Sequence, residues 1–264
     1  MSGDQLVFQA RTQIEPVENG RYAESWVDIN WRPSETAVII CDMWDHHWCR
    51  SAETRAAEMA PRMNDLVGTL RADGVRIIHA PSDTMAFYAD HPARRAFLAT
   101  VQNQEKSAEA MPMVCNPGEG ILPVDDSDGG CDCQPHCPEH QPWTRQMASL
   151  TIDDGDWITD GVDVFYALKA CGIRNVLIMG VHTNMCILAR PFAIRELVKR
   201  GLNVVLVRDL TDSMYNPAMA PYVDHFTGTD LIIEHIEKYW CPTVTSDQII
   251  EGPAFRFHSD KRPR

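Results

Sequence analysis

Asn175-Val-Leu-Ile-Met-Gly-Val-His-Thr-Asn-Met-Cys186 is an apolar run that breaks at Gly180 and carries a cysteine to the start of a predicted helix. A short apolar run bounded by a turn signal reads as a buried strand. The helical pattern that follows, about 187–200, closes at Gly201 in a C-cap position. A helix beginning at Cys186 would aim its free N–H groups and positive dipole end at the sulfur, which favours the thiolate. The competing reading is an inert core cysteine, since free cysteine is among the most buried residue types.

Outward from this stretch, strand-like runs alternate with helical patterns. The strand candidates are Ala37–Cys41, Val75–His79, Val176–Met179, Val204–Val207 and Leu231–Glu234, and the helix candidates lie at about 52–72, 160–172 and 187–200. Pro191 is expected to kink the last helix, because it removes one backbone hydrogen bond. Alternation of this kind is the signature of βαβ units. It predicts a three-layer, doubly wound α/β fold of Rossmann-like type, with a mostly parallel sheet and helices on both faces. At 264 residues the chain is expected to form one domain, with an N-terminal extension over about 1–33 and a long loop insertion over about 103–150. In such sheets ligands bind at the carboxyl edge, so the residues to inspect follow the strands.

Composition narrows the functions. With 24 Lys+Arg against 37 Asp+Glu, the net charge is −13, which repels phosphate backbones and anionic lipid surfaces. No nucleic-acid or membrane partner is expected. The chain has no apolar run of about 18 residues and no basic, apolar leader at its start. Nine cysteines, an odd number with several inside apolar runs, do not suggest a disulfide framework. The expectation is a cytoplasmic protein.

Asp42 emerges from a strand that should be buried on both faces, and it precedes Met43-Trp44-Asp45-His46-His47. Asp often caps turns; here it is also placed to act as a general base for a thiol. Asp45, His46, His47 and His79 are of types that ligate metals. They lack a metal-ligand repeat, so Trp44, His47 and His79 are read as pocket-wall, substrate-binding residues and no catalytic metal is assigned. Trp143 and Arg145 lie near the end of the 103–150 insertion and are expected to line the pocket with it. Arg190 lies about one turn beyond Cys186, where its fork suits a substrate carboxylate. Asp209, Thr211 and Asp212 are read as turn and helix caps, and Tyr215 and His225 as pocket or interface residues. Within the insertion, Cys131, Cys133 and Cys137 stand with His136 and His140. They could hold a structural zinc, but the Cys-x-Cys and Cys-x3-Cys spacings are not paired Cys-x2-Cys knuckles. A loop held by packing is the reading adopted, and no cofactor is required.

An Asp at the end of the first strand, followed much later by Gly180-Val-His-Thr-Asn-Met-Cys186 opening a helix, resembles the isochorismatase-like cysteine hydrolase superfamily, which includes nicotinamidases and related amidases. The resemblance spans the order of elements from about Thr36 to Val207. It implies an isochorismatase-type fold, Cys186 as nucleophile and Asp42 as catalytic acid/base. It also implies a cis peptide at Val181–His182 and an oxyanion hole from the Cys186 and His182 amides. The family's catalytic lysine, about 40 residues before the cysteine, has no counterpart among Lys106, Lys169, Lys199, Lys238 and Lys261. Arg145, 41 residues before Cys186, is the expected substitute. The Asp-x-His metal pair of nicotinamidases is absent after the second strand, where the sequence reads Ile78-His79-Ala-Pro-Ser-Asp83.

The function expected is a cysteine hydrolase cleaving a C–N bond of a small non-peptide amide through a thioester acyl-enzyme, in a homodimer or homotetramer. Two other readings stay open. One is vinyl ether hydrolysis of the isochorismatase kind, with Asp42 as acid and the cysteine dispensable. The other is a silent binding protein that has lost the lysine, since fold alone does not establish function.

Overall fold

The computed structural model describes residues 5–14, 22–102 and 118–263. Its centre is an eight-stranded sheet in the order β2-β1-β8-β7-β6-β3-β4-β5. The strands are β1 (Leu6–Ile14), β2 (Ala23–Trp31), β3 (Thr36–Cys41), β4 (Arg76–Ala80), β5 (Trp157–Ile158), β6 (Asn175–Val181), β7 (Asn203–Asp212) and β8 (Thr243–Val244). The helices are α1 (Arg50–Ala72), α2 (Pro92–Gln102), α3 (Asp163–Ala170), α4 (Cys186–Ala189), α5 (Ile194–Lys199) and α6 (His225–Tyr239). Strands β3 to β8 pair in parallel, whereas β1 is antiparallel to both β2 and β8.

Period-two alternation along the buried strands makes the layers. Val38 and Ile40 of β3, with Leu177 and Met179 of β6, pack on Met59, Met63 and Leu66 of α1. Ala37, Ile39 and Cys41, with Val176 and Ile178, face the opposite layer of Leu168, Leu197, Ile232 and Ile236 from α3, α5 and α6. This is the expected doubly wound α/β architecture.

The chain runs outward from β3 through β4 to β5, then returns to β6 on the other side of β3. The gap beyond the carboxyl ends of β3 and β6 is therefore the topological switch point, where such sheets bind ligands. Cys41 is paired with Gly180 at that level. Gly180 has φ of +118°, and an added Cβ would lie 2.1 Å from the Cys41 carbonyl oxygen, so only glycine fits there.

Several expectations are corrected. Leu231–Glu234 is part of α6, not a strand, because its apolar residues continue a helical period through Ile232, Ile233 and Ile236 behind the cap at Asp224. The 187–200 helix is not kinked but broken into α4 and α5. Arg190, preceding Pro191, is extended at φ −61° and ψ 152°, as a residue before proline prefers. The 1–33 extension contributes the hairpin β1–β2 to the sheet edge. In the insertion, described from residue 118, residues 118–150 form turns and extended segments. They are tied to the sheet edge by the Trp44–Gln146 bridge and by the Met147 N–H to Met43 carbonyl bond of 2.9 Å. Lys106 lies outside the described residues. Among the described residues no helix is long and apolar enough to cross a membrane.

Candidate active site

Asp42 leaves β3 with φ of +49°, in the left-handed region that Asp and Asn tolerate better than most side chains. The turn folds its carboxylate back into the sheet edge, fully buried. Oδ1 accepts the Ser82 N–H at 2.8 Å, and Oδ2 accepts Arg190 Nε at 3.1 Å. Cys186 lies beside the same carboxylate, and each group shifts the titration of the other. Arg190 also reaches Asp83 at 3.4 Å. Arg190 can do this because the break before Pro191 turns its backbone out of the helix.

The electrostatics follow from burial. Desolvation pushes the Cys186 thiol up to about 12; the Asp42 charge adds to this, while Arg190 and the His182 backbone N–H pull it down. Burial also raises the Asp42 carboxyl above its usual range, against the pull of Arg190. With its thiol pushed up to about 12, Cys186 rests protonated. The expectation of a helix-activated thiolate is thereby corrected. The helix starting at Cys186 has only four residues, and its N–H groups do not outweigh desolvation beside a carboxylate.

The wall of the site is aromatic. Trp44 and Trp143 stack with ring centroids 4.3 Å apart, and His47 lies 6.1 to 6.2 Å from both. His47 and His182 meet through their Nε2 atoms at 3.2 Å. Burial lowers His182 to about 3, and it also lowers His47, so both rings are neutral. A cavity of about 10 Å³ lies between Asp42, Trp44, His47, Val181 and His182, room for about one water.

Two expected site residues are elsewhere. Arg145 lies 3.6 Å from Asp45 and over the Phe87 ring, half exposed; the cation on Asp42 is Arg190. His79 has no exposed surface. Its Nδ1 meets Gln146 at 2.9 Å and its Nε2 meets Asp156 at 3.1 Å, so both nitrogens serve the fold and it does not line the pocket. Asp45 is occupied by Thr144, and these acidic and imidazole groups do not converge as metal ligands. Among the described residues the cluster with metal-ligand spacing is Cys49, Cys131 and Cys133.

Asp212 is not a cap. It is fully buried at the end of β7, held by Arg55 Nε at 2.8 Å and His225 Nε2 at 2.9 Å, and Arg55 also binds Asp132 at 2.8 Å. The Asp212 carbonyl accepts the Thr183 N–H at 3.0 Å, so this network anchors the turn that delivers Cys186. Tyr215 and His225 are buried supports of that network. Sequence reading missed Ser82 and Arg55; the only signal for Ser82 was its place just past a strand.

The fold and the switch-point site define a doubly wound α/β protein with a cysteine and a buried aspartate at the carboxyl edge of its sheet. The fold is shared with a cysteine hydrolase from Pseudomonas syringae, at 17% identity and a TM-score of 0.51, covering 83% of this chain and 92% of that one. An isochorismatase from Pseudomonas putida is similar at 11% identity and a TM-score of 0.49, over 83% and 92% of the two chains. Residues 123–221, which include Cys186, match the isochorismatase domain family model. No curated protein matches the chain significantly. The Val181–His182 peptide is cis, as the resemblance implied.

Proposed function

We propose that the protein is a cysteine hydrolase that cleaves the C–N bond of a small non-peptide amide. The observation carrying this reading is the buried Cys186–Asp42 contact with Arg190 on the second carboxylate oxygen. Asp42 takes the thiol proton as Cys186 Sγ bonds to the carbonyl carbon, because a thiol held near 12 is not ionised in advance. The amides of Cys186 and His182 stabilise the oxyanion. The C–N bond then breaks, Asp42 gives its proton to the departing nitrogen, and a thioester remains. Water attacks the thioester with Asp42 again as base, the C–S bond breaks, and the acid leaves with the sulfur reprotonated. Arg190 holds the carboxylate in register and supplies positive charge, but unlike a lysine it does not exchange protons at neutral pH.

The stacked aromatic wall supports a compact planar substrate. Among the described residues, the buried Trp143 Nε1 has no hydrogen-bond partner and is a donor for such a ligand. A second reading has one observation in its favour: a carboxyl raised by burial suits an acid that protonates a vinyl ether. Assaying Cys186→Ala and Asp42→Asn against small amides and vinyl ethers separates the two. The amidase reading expects both variants to lose about 10²-fold or more in kcat/KM. Activity that survives Cys186→Ala but not Asp42→Asn would transfer the assignment to vinyl ether chemistry.

A further inference from the structure

Four cysteines that this chemistry does not use meet beside α1. Cys49, Cys131 and Cys137 are buried and Cys133 is half-buried. The sulfurs of Cys49, Cys131 and Cys133 lie within 4.8 Å of one another, and Cys49 Sγ is 3.9 Å from Cys133 Sγ. Cys137 is buried in the same apolar cluster. Sulfurs arranged tetrahedrally at about 2.3 Å from a zinc ion are about 3.8 Å apart, close to the Cys49–Cys133 separation.

The surroundings suit thiolates. The Ser51 N–H, in the first turn of the 23-residue helix α1, donates to Cys133 Sγ at 3.3 Å, and Ser51 Oγ lies 3.2 Å from the same sulfur. Such N–H to sulfur bonds spread thiolate charge and orient ligands around a metal. The neighbouring carboxylate, Asp132, is taken by Arg55 and by Ser51. Cys137, buried in the same cluster but outside the 4.8 Å group, is the remaining thiol at hand and would close on the other three as the metal binds.

We propose that Cys49, Cys131, Cys133 and Cys137 bind one zinc ion as a closed tetrathiolate site that fastens the insertion to the start of α1. Local spacing hides this site, because the ligand completing the set precedes the Cys131–Cys137 run by more than 80 residues. Trp48 and Trp143 pack in the same apolar cluster as these cysteines, so the metal would hold one wall of the site in place. The proposal is independent of the hydrolase assignment.

The test is metal analysis of the full chain, purified reduced, loaded with zinc and freed of excess by gel filtration. The expected result is about one zinc per chain in the wild type, in Cys171→Ser and in Cys186→Ser, with loss of that zinc in Cys49→Ser and Cys133→Ser. Cobalt loading should give the strong sulfur-to-metal absorption of four thiolates, weakened in Cys137→Ser. Should the ligand variants fail to fold, the wild-type zinc content and cobalt spectrum decide alone. Less than roughly a tenth of an equivalent after loading, with every thiol free or with a Cys49–Cys133 disulfide found by mass spectrometry, would overturn the proposal.

Discussion

Cys186, Asp42 and Arg190 form one electrostatic unit, and each can be perturbed with a known sign. Asp42→Asn removes a charge that raises the thiol, so Cys186 should titrate lower and alkylate several-fold faster at pH 8 while hydrolysis is lost. Arg190→Ala removes a charge that lowers both groups. The Cys186 labelling curve should then move to higher pH, and so should the acid limb of the pH–rate profile, which reports Asp42 as base. Arg190→Lys should restore part of both. Peptide mass spectrometry with the other cysteines as controls reads the labelling; slower alkylation in Asp42→Asn would contradict the assigned resting proton. Asp42 and Cys186 were legible in the sequence because each sits just past a buried strand. The partner of Asp42 was not. Arg145 has the lysine-like spacing, but distance along a loop does not fix a direction, and Asp45 captures it. His79 looked like a wall residue because a strand end gave no sign that Gln146 and Asp156 close over it.

At the scale of elements, helix existence was read well where periodicity was long, as in α1, and poorly where an apolar run was short. Leu231-Ile-Ile looked like a strand because four residues do not separate period 2 from period 3.6. The deciding signal was Asp224, whose carboxylate accepts the Phe226 and Thr227 N–H groups at the start of α6. Asp224→Ala should cost about 1 kcal/mol in a denaturant titration without changing turnover. The hairpin β1–β2 escaped notice because half of its strand residues are exposed and the alternation is weak. Gly180 is the more demanding position. Gly180→Ala should destabilise the chain by more than about 2 kcal/mol, since the left-handed backbone and the Cys41 carbonyl oppose a Cβ together. Thermal melting measures this, and an unchanged midpoint would mean that β6 can shift away from β3.

For the molecule as a whole, buried neutral imidazole and buried carboxylate set the response to acid. His182 is held down to about 3, so below its unfolded value of about 6.5 the unfolded chain takes up a proton that the native one refuses. Stability should therefore begin to fall below about pH 6.5, with a further loss as pH falls from about 4 to 2, where Asp156 is protonated. The Asp156 contribution, from hydrogen bonds to His79 and Arg71, is on the order of 2 kcal/mol at neutral pH. Urea midpoints measured from pH 7 to 4 check this; His182→Gln should flatten the first part of the curve by up to about one proton's slope. The layered architecture could be read from the sequence because strand and helix periods are local. The buried polar network was not readable, because its members come from distant segments. One backbone feature bears on how such a chain can change. Asp42 takes a left-handed conformation that glycine or asparagine would adopt more easily, with its carboxylate fully buried. A chain tuned for thermostability alone would do better with another residue there, so the position is one where robustness and the proposed chemistry pull in opposite directions.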